Sequence, residues 1–171
     1  MRDEKGNNLH IKDIKAQAAT ACDDVSRDEI VSLIHDASPK VARNAAWAMT
    51  HFSDDVIATL RPRLNEFIDI IVSTDNISLQ RLLLNVVERM EWESAYVRTD
   101  FLDFCFDRMV SPVVPPGVQS LCMKLAMRQC RFYPELLPEF RMLLESMETG
   151  YAVSTMGLRK KMLKQLNKTN L

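Results

Sequence analysis

Three histidines, four cysteines and a scatter of carboxylates are the residues of this 171-residue chain best suited to chemistry. Their spacing limits what they can do. His10, His35 and His51 stand apart, with no His-Glu-x-x-His and no Cys/His spacing suited to zinc. Cys22, Cys105, Cys122 and Cys130 form no Cys-x-x-Cys pair. Each falls within an apolar helical pattern and reads as a buried free thiol in a reducing compartment. His35-Asp36 falls at a helix end, where a histidine favours the C-terminal dipole. Asp23-Asp24 and Asp54-Asp55 precede helical patterns and read as N-caps. Asp103 and Asp107 are spaced to share one helix face, like a working carboxylate pair, but they sit beside Phe101, Phe104 and Phe106 on an acidic segment and read as solvated. No glycine-rich phosphate loop and no Gly-x-Ser-x-Gly elbow occurs. The expectation is therefore no catalytic constellation, no metal and no cofactor. What remains is binding chemistry. Arg43, Trp47, Arg81, Asn85, Lys124, Arg128 and Arg159 recur at related places on successive helical patterns, and tryptophan with arginine makes an interaction hot spot.

The elements that must position these residues follow from a repeat of about 38 residues. One copy reads Val41-Ala42-Arg43-Asn44-Ala45-Ala46-Trp47-Ala48-Met49-Thr50-His51-Phe52. The next reads Leu79-Gln80-Arg81-Leu82-Leu83-Leu84-Asn85-Val86-Val87-Glu88-Arg89-Met90. Val118-Gln119-Ser120-Leu121-Cys122-Met123-Lys124-Leu125-Ala126 resumes it, and a weaker copy starts at Val153. A period of this size in a helical chain means stacked helix pairs. An amphipathic helix over 9–23 precedes four pairs: 26–36 with 38–52, 54–74 with 75–90, 91–110 with 115–132, and 133–148 with 150–168. The first helix of each pair is termed A and the second B. Ser26, Ser38-Pro39, Asp75 or Asn76, and Pro115-Pro116 supply start signals, and Pro62 is placed to break the second A helix.

Bulk composition agrees. Apolar residues make up 47% and charged residues 26%, the mixture of a folded domain with a real core. Four glycines are too few for a sandwich or barrel. The charged start Met1-Arg2-Asp3-Glu4-Lys5 has no apolar run of a secretory signal. The longest uncharged stretch, Met109 to Met123, is interrupted by Pro112, Pro115 and Pro116 and reads as a helix junction rather than a membrane span. A cytoplasmic, monomeric protein is expected. Its organisation is a tail and capping helix over 1–25, one helical domain over 26–168 and a tail over 169–171.

The first B helix resembles the HEAT-repeat pattern, Val-Arg-x-x-Ala-Ala-x-Ala-Leu-Gly-x-Leu, with Val41, Ala45, Ala46, Ala48, Met49 and Phe52 on the matching positions. Ala42 replaces the usual arginine and Thr50 the glycine. The second copy keeps the apolar positions, the third drifts, and the fourth departs at Lys160 and Lys161. The resemblance covers roughly residues 26–168. It implies an all-α, right-handed α-α superhelix of about four helix pairs plus the N-terminal helix, with A helices on the convex side and B helices on the concave side.

Charge is sorted along the same division. The A segments sum to −10 and the B segments to +10, with −1 over residues 1–25. An arrangement that is acidic outside and basic inside concentrates an anionic partner. Charge pairing between A and B helices within each repeat is the alternative use of the same residues. The leading expectation is a non-enzymatic scaffold that binds a protein or peptide, anionic in character, on the concave face. Trp47 is the apolar anchor and the arginine column matches charge. Trp47 packed under the N-terminal helix is the competing placement. A second expectation is a nucleic-acid binder similar to the HEAT-like DNA-alkylation-repair glycosylases, although this chain is shorter, nearly neutral and offers no carboxylate to match. A third is a structural subunit of a larger complex.

Overall fold

The computed structural model describes residues 24–94 and 97–168. The expected helix 9–23 and both tails lie outside the described residues. Among those described there are nine α-helices and no strand. The chain divides into two compact units, one ending at Glu91 and the other beginning at Trp92.

In the first unit, α1 (Asp24–Ser32) tightens into a 3-10 turn, Leu33–His35. Ser26 lies inside this helix rather than at its N-cap. Ser38 in extended conformation then admits Pro39 as first residue of α2 (Pro39–Met49), where the missing N–H of proline costs nothing. α3 (Asp54–Thr59) is capped by the Ser53 hydroxyl, which accepts from Val56 N–H. Asp54 and Asp55 sit in the first turn, where their charge favours the helix dipole; they are not the cap itself. Pro62 breaks the second A helix, as its ring requires. A 3-10 turn, Arg61–Arg63, separates α3 from α4 (Leu64–Ser73). Asn76 caps α5 (Ile77–Arg89) by accepting from Ser78 and Leu79 N–H.

Each B helix here returns against its own A helix, and successive B helices pack side by side: α1 on α2, α4 on α5, and α2 on α5. Small Ala42, Ala45, Ala46 and Ala48 are all buried, which lets the backbones approach closely. Leu64, Phe67, Ile68 and Ile71 of α4 and Leu83, Leu84, Val86 and Val87 of α5 are fully buried. Each large one contributes about 2 kcal/mol of apolar burial.

In the second unit, α6 (Thr99–Val110) starts later than the sequence pattern suggests. Residues 91–93 are not helical. Arg98 is extended at the N-cap, and its guanidinium donates to both Asp100 carboxylate oxygens (3.0 and 2.6 Å), which fixes the start. Trp92 lies parallel to the Phe101 ring at 5.9 Å, so the incoming chain folds back on α6 rather than extending it. α7 (Pro116–Phe132) opens on Pro115-Pro116 as its sequence predicts. A 3-10 turn, Pro134–Leu136, leads into α8 (Leu137–Ser146). Gly150, at φ +86°, takes the left-handed turn that delays α9 (Val153–Lys168) to residue 153. α7 packs on α6, α8 and α9. Phe101, Phe140, Leu125, Cys105 and Cys122 fill the interior with no exposure.

Candidate functional site

Burial on the B helices leaves narrow open lines. On α5, residues 79, 80, 82–84, 86 and 87 are buried, and after its first turn only Arg81, Asn85, Glu88 and Arg89 reach the surface. On α7 the open line is Ser120, Lys124, Arg128 and Arg131, beyond the helix's first and last residues. Steps of three and four residues keep each line on one helix face. On α2 the equivalent line holds Lys40, Arg43, Trp47 and Thr50.

The first unit thus presents Arg43, Trp47, Arg81 and Asn85 on two helices packed side by side. Arg81 is exposed and makes no ion pair with the described residues. Arg43 is exposed, with one long bond (3.4 Å) to Asn44. Trp47 is half-buried, and its ring centre lies 4.3 Å from that of His51 at 52°. In the second unit Lys124 is exposed and Arg128 half-buried. Arg159 is drawn off to another task. Its guanidinium donates to Leu144 O (2.5 Å), which also accepts from Met147 N–H, and to Glu145 O (3.2 Å), both carbonyls of the last turn of α8. α7 and α9 carry eight lysines and arginines and no carboxylate, whereas α2 and α5 carry four and Glu88.

Several B-helix groups that sequence reasoning missed are structural. Gln80 and Gln119 occupy the same place in successive repeats and are each 1% exposed. Gln80 Nε2 donates to Ile71 O (2.9 Å), and Gln119 Nε2 donates to Ser111 O (2.8 Å), so each closes the end of its own A helix. Gln119 Oε1 also accepts from the buried Thr155 hydroxyl at 3.1 Å, which joins the starts of α7 and α9. The signal was visible as a glutamine 39 positions on from another inside the repeat. Arg89 donates to Thr50 O (3.1 Å), Phe52 O (2.7 Å) and Asp54 (2.7 Å), joining the ends of α2 and α5 and the start of α3. It is one cation that does pair across A and B helices.

The remaining titratable groups also serve the scaffold. Glu66 accepts from Arg63 (2.6 and 2.7 Å) and lies 2.6 Å from His35 Nε2. The Arg63 hydrogen bonds hold its carboxyl below the usual glutamate range against the opposing effect of partial burial. His35 therefore has a long-range partner beyond its helix-end position. Cys105, Cys122 and Cys130 are buried free thiols. Burial pushes the Cys105 thiol well up and the Cys130 thiol to about 12, so neither is a nucleophile at neutral pH. Asp103 and Asp107 are exposed. Among the described residues no group of histidine, cysteine and carboxylate side chains could hold a metal ion. None of their helices is long and apolar enough to cross a membrane.

The family model of the HEAT repeat domain matches residues 1–166. No curated protein and no solved structure matches the chain.

Proposed function

Because the chain belongs to the HEAT-repeat family, whose members are generally non-enzymatic protein-interaction scaffolds, we propose that it binds an acidic protein segment on the open lines of its B helices. The observation that carries this reading is the composition of those lines. α5 and α7 bury almost every other side, and what they leave open is Arg81 and Asn85 on one, Lys124 and Arg128 on the other. Unlike Arg89 and Arg159, Arg81 is not engaged by a helix end. A cation held on a rigid helix and facing water is inexpensive to present and raises the encounter rate with an anionic surface. Trp47 supplies apolar area next to Arg43 on the first unit.

Proteins recovered with the tagged chain from cells provide the ligand for the test. Arg81→Glu slows association, and added salt mimics it. Trp47→Ala speeds dissociation instead. Unchanged affinity of the double variant Arg43→Glu/Arg81→Glu for every recovered partner overturns the reading. The eight cations of α7 and α9 favour nucleic acid as the second reading. It requires retention on DNA or RNA that falls log-linearly with salt.

A further inference from the structure

The open line of α7 leads into a cavity. Its last member, Arg131, stands at the mouth of a space of about 460 Å3 with Lys168 and Gln165 of α9, over a floor of Met127, Leu137 and Leu166. All three floor residues are buried, so the interior is apolar and already formed. No acidic side chain among the described residues lines it. Arg131 and Lys168 both stand in the last turns of their helices. Open carbonyls there amount to about half a negative charge per helix, which two full positive charges outweigh. The mouth is electropositive and the floor is greasy.

We propose that this cavity is the anchor site for an acidic peptide segment bearing one large apolar side chain, with the acidic residues laid along Lys124, Arg128 and Arg131. The proposal rests on the scaffold reading above and names the partner's chemistry. Length favours a peptide. From Lys124 to Arg131 is seven residues of helix, about 10 Å of rise, which three residues of extended chain span. A small carboxylate would meet only the mouth. A purely acidic chain would leave the floor unused. The volume lies within the range of sites that hold a drug-sized group, ample for one leucine or phenylalanine side chain.

The probes are two fluorescein-labelled, C-terminally amidated peptides, four glutamates followed by leucine and four glutamates followed by alanine, measured by fluorescence anisotropy on the full chain. The leucine peptide binds about tenfold more tightly than the alanine peptide. Gln165→Trp, which fills the mouth from an exposed position, removes that advantage and leaves alanine-peptide binding in place. Lys168→Glu, also at an exposed position, weakens both peptides, as does Lys124→Glu. Thermal melts of each variant matching the wild type tie these losses to the site. Equal binding of the two peptides, still sensitive to Lys124→Glu, overturns the anchor and leaves the scaffold reading standing. No binding of either peptide overturns both. Decanoate that displaces the leucine peptide and binds as tightly reassigns the cavity to a free amphiphile. Self-association of the chain that the leucine peptide dissolves reassigns it to a second copy. Either result overturns the proposal.

Discussion

The first unit fastens two B helices at their C-terminal ends, where Arg89 of α5 reaches Thr50 O and Phe52 O beyond α2. The second unit fastens α7 and α9 near their N-terminal ends, through Gln119 and Thr155, and holds a cavity where their C-terminal ends lie. Within each unit the two B helices bring like ends together, as a repeat demands. One has an arginine surrounded by oxygens at the end where the other has an open, cation-rimmed space. A helix pair needs holding firmly at one end, and the other end is then open to other use. The repeat conserves which positions are buried and leaves each unit to choose its fastener.

The largest test of that difference is the glutamine pair. Gln119→Leu strands the buried Thr155 hydroxyl and leaves Ser111 O with Val114 N–H alone, and costs about 2 kcal/mol. Gln80→Leu loses the bond to Ile71 O but also removes an oxygen, Oε1, that has no partner among the described residues, and costs about 1 kcal/mol. Urea unfolding of the two variants measures both, and equal costs break the distinction between the units.

Next is the close approach in the first unit. Ala45 is 1% exposed on α2, and its repeat equivalent in the second unit is Cys122. Ala45→Leu overpacks and costs about 1–3 kcal/mol, read from the unfolding midpoint. An unchanged midpoint removes Ala45 from the tight contact.

A gain is expected at Gln129. Its slot holds Phe52 and Met90 in the two preceding repeats, both buried. Gln129 is fully buried, and neither of its side-chain polar atoms has a hydrogen-bond partner among the described residues. Gln129→Met relieves that desolvation and raises stability by about 1 kcal/mol, seen as a higher melting temperature. A lower melting temperature means that the Gln129 amide is hydrogen-bonded in the folded protein.

The smallest effect is acid sensitivity in the first unit. The folded-state value of Glu66 is lowered chiefly by Arg63, so its contribution is present above the ordinary glutamate value and is lost as pH falls through the depressed one. Glu66→Gln flattens the decline of stability over that acid range and leaves the second unit's local hydrogen exchange unchanged. A curve identical to wild type removes the group from the acid response.

Helix number and type were legible because burial repeats in sequence. Ser38-Pro39, Asn76, Pro62 and Pro115-Pro116 act through backbone rules that need no tertiary knowledge, and all appear where expected. Residues 91–93 misled because their helical pattern cannot reveal that Trp92 has a better use against Phe101. Asp54 looked like a cap because Ser53 beside it is equally able, and the hydroxyl took the position. At the candidate site, Arg81 and Lys124 were singled out by the repeat and the sorting of charge, and both are exposed. Arg159 was not separable from them by type. Its carbonyl partners at the end of α8 exist only once the fourth pair has closed. The cavity was invisible in sequence for the same reason, since its floor comes from three helices.

The fasteners also order the assembly of the chain in time. Gln80 meets Ile71 across nine residues and Gln119 meets Ser111 across eight, so each hairpin closes a short loop. The contacts that join one hairpin to the next span 36 residues for Gln119–Thr155 and 39 for Arg89–Thr50. The entropy of closing a loop rises with its length, so hairpins form first and their joining follows. A chain built this way has its nucleus in the buried glutamine hairpins. Its resistance to unfolding rests on the late contacts, Arg89 in one unit and Thr155 in the other.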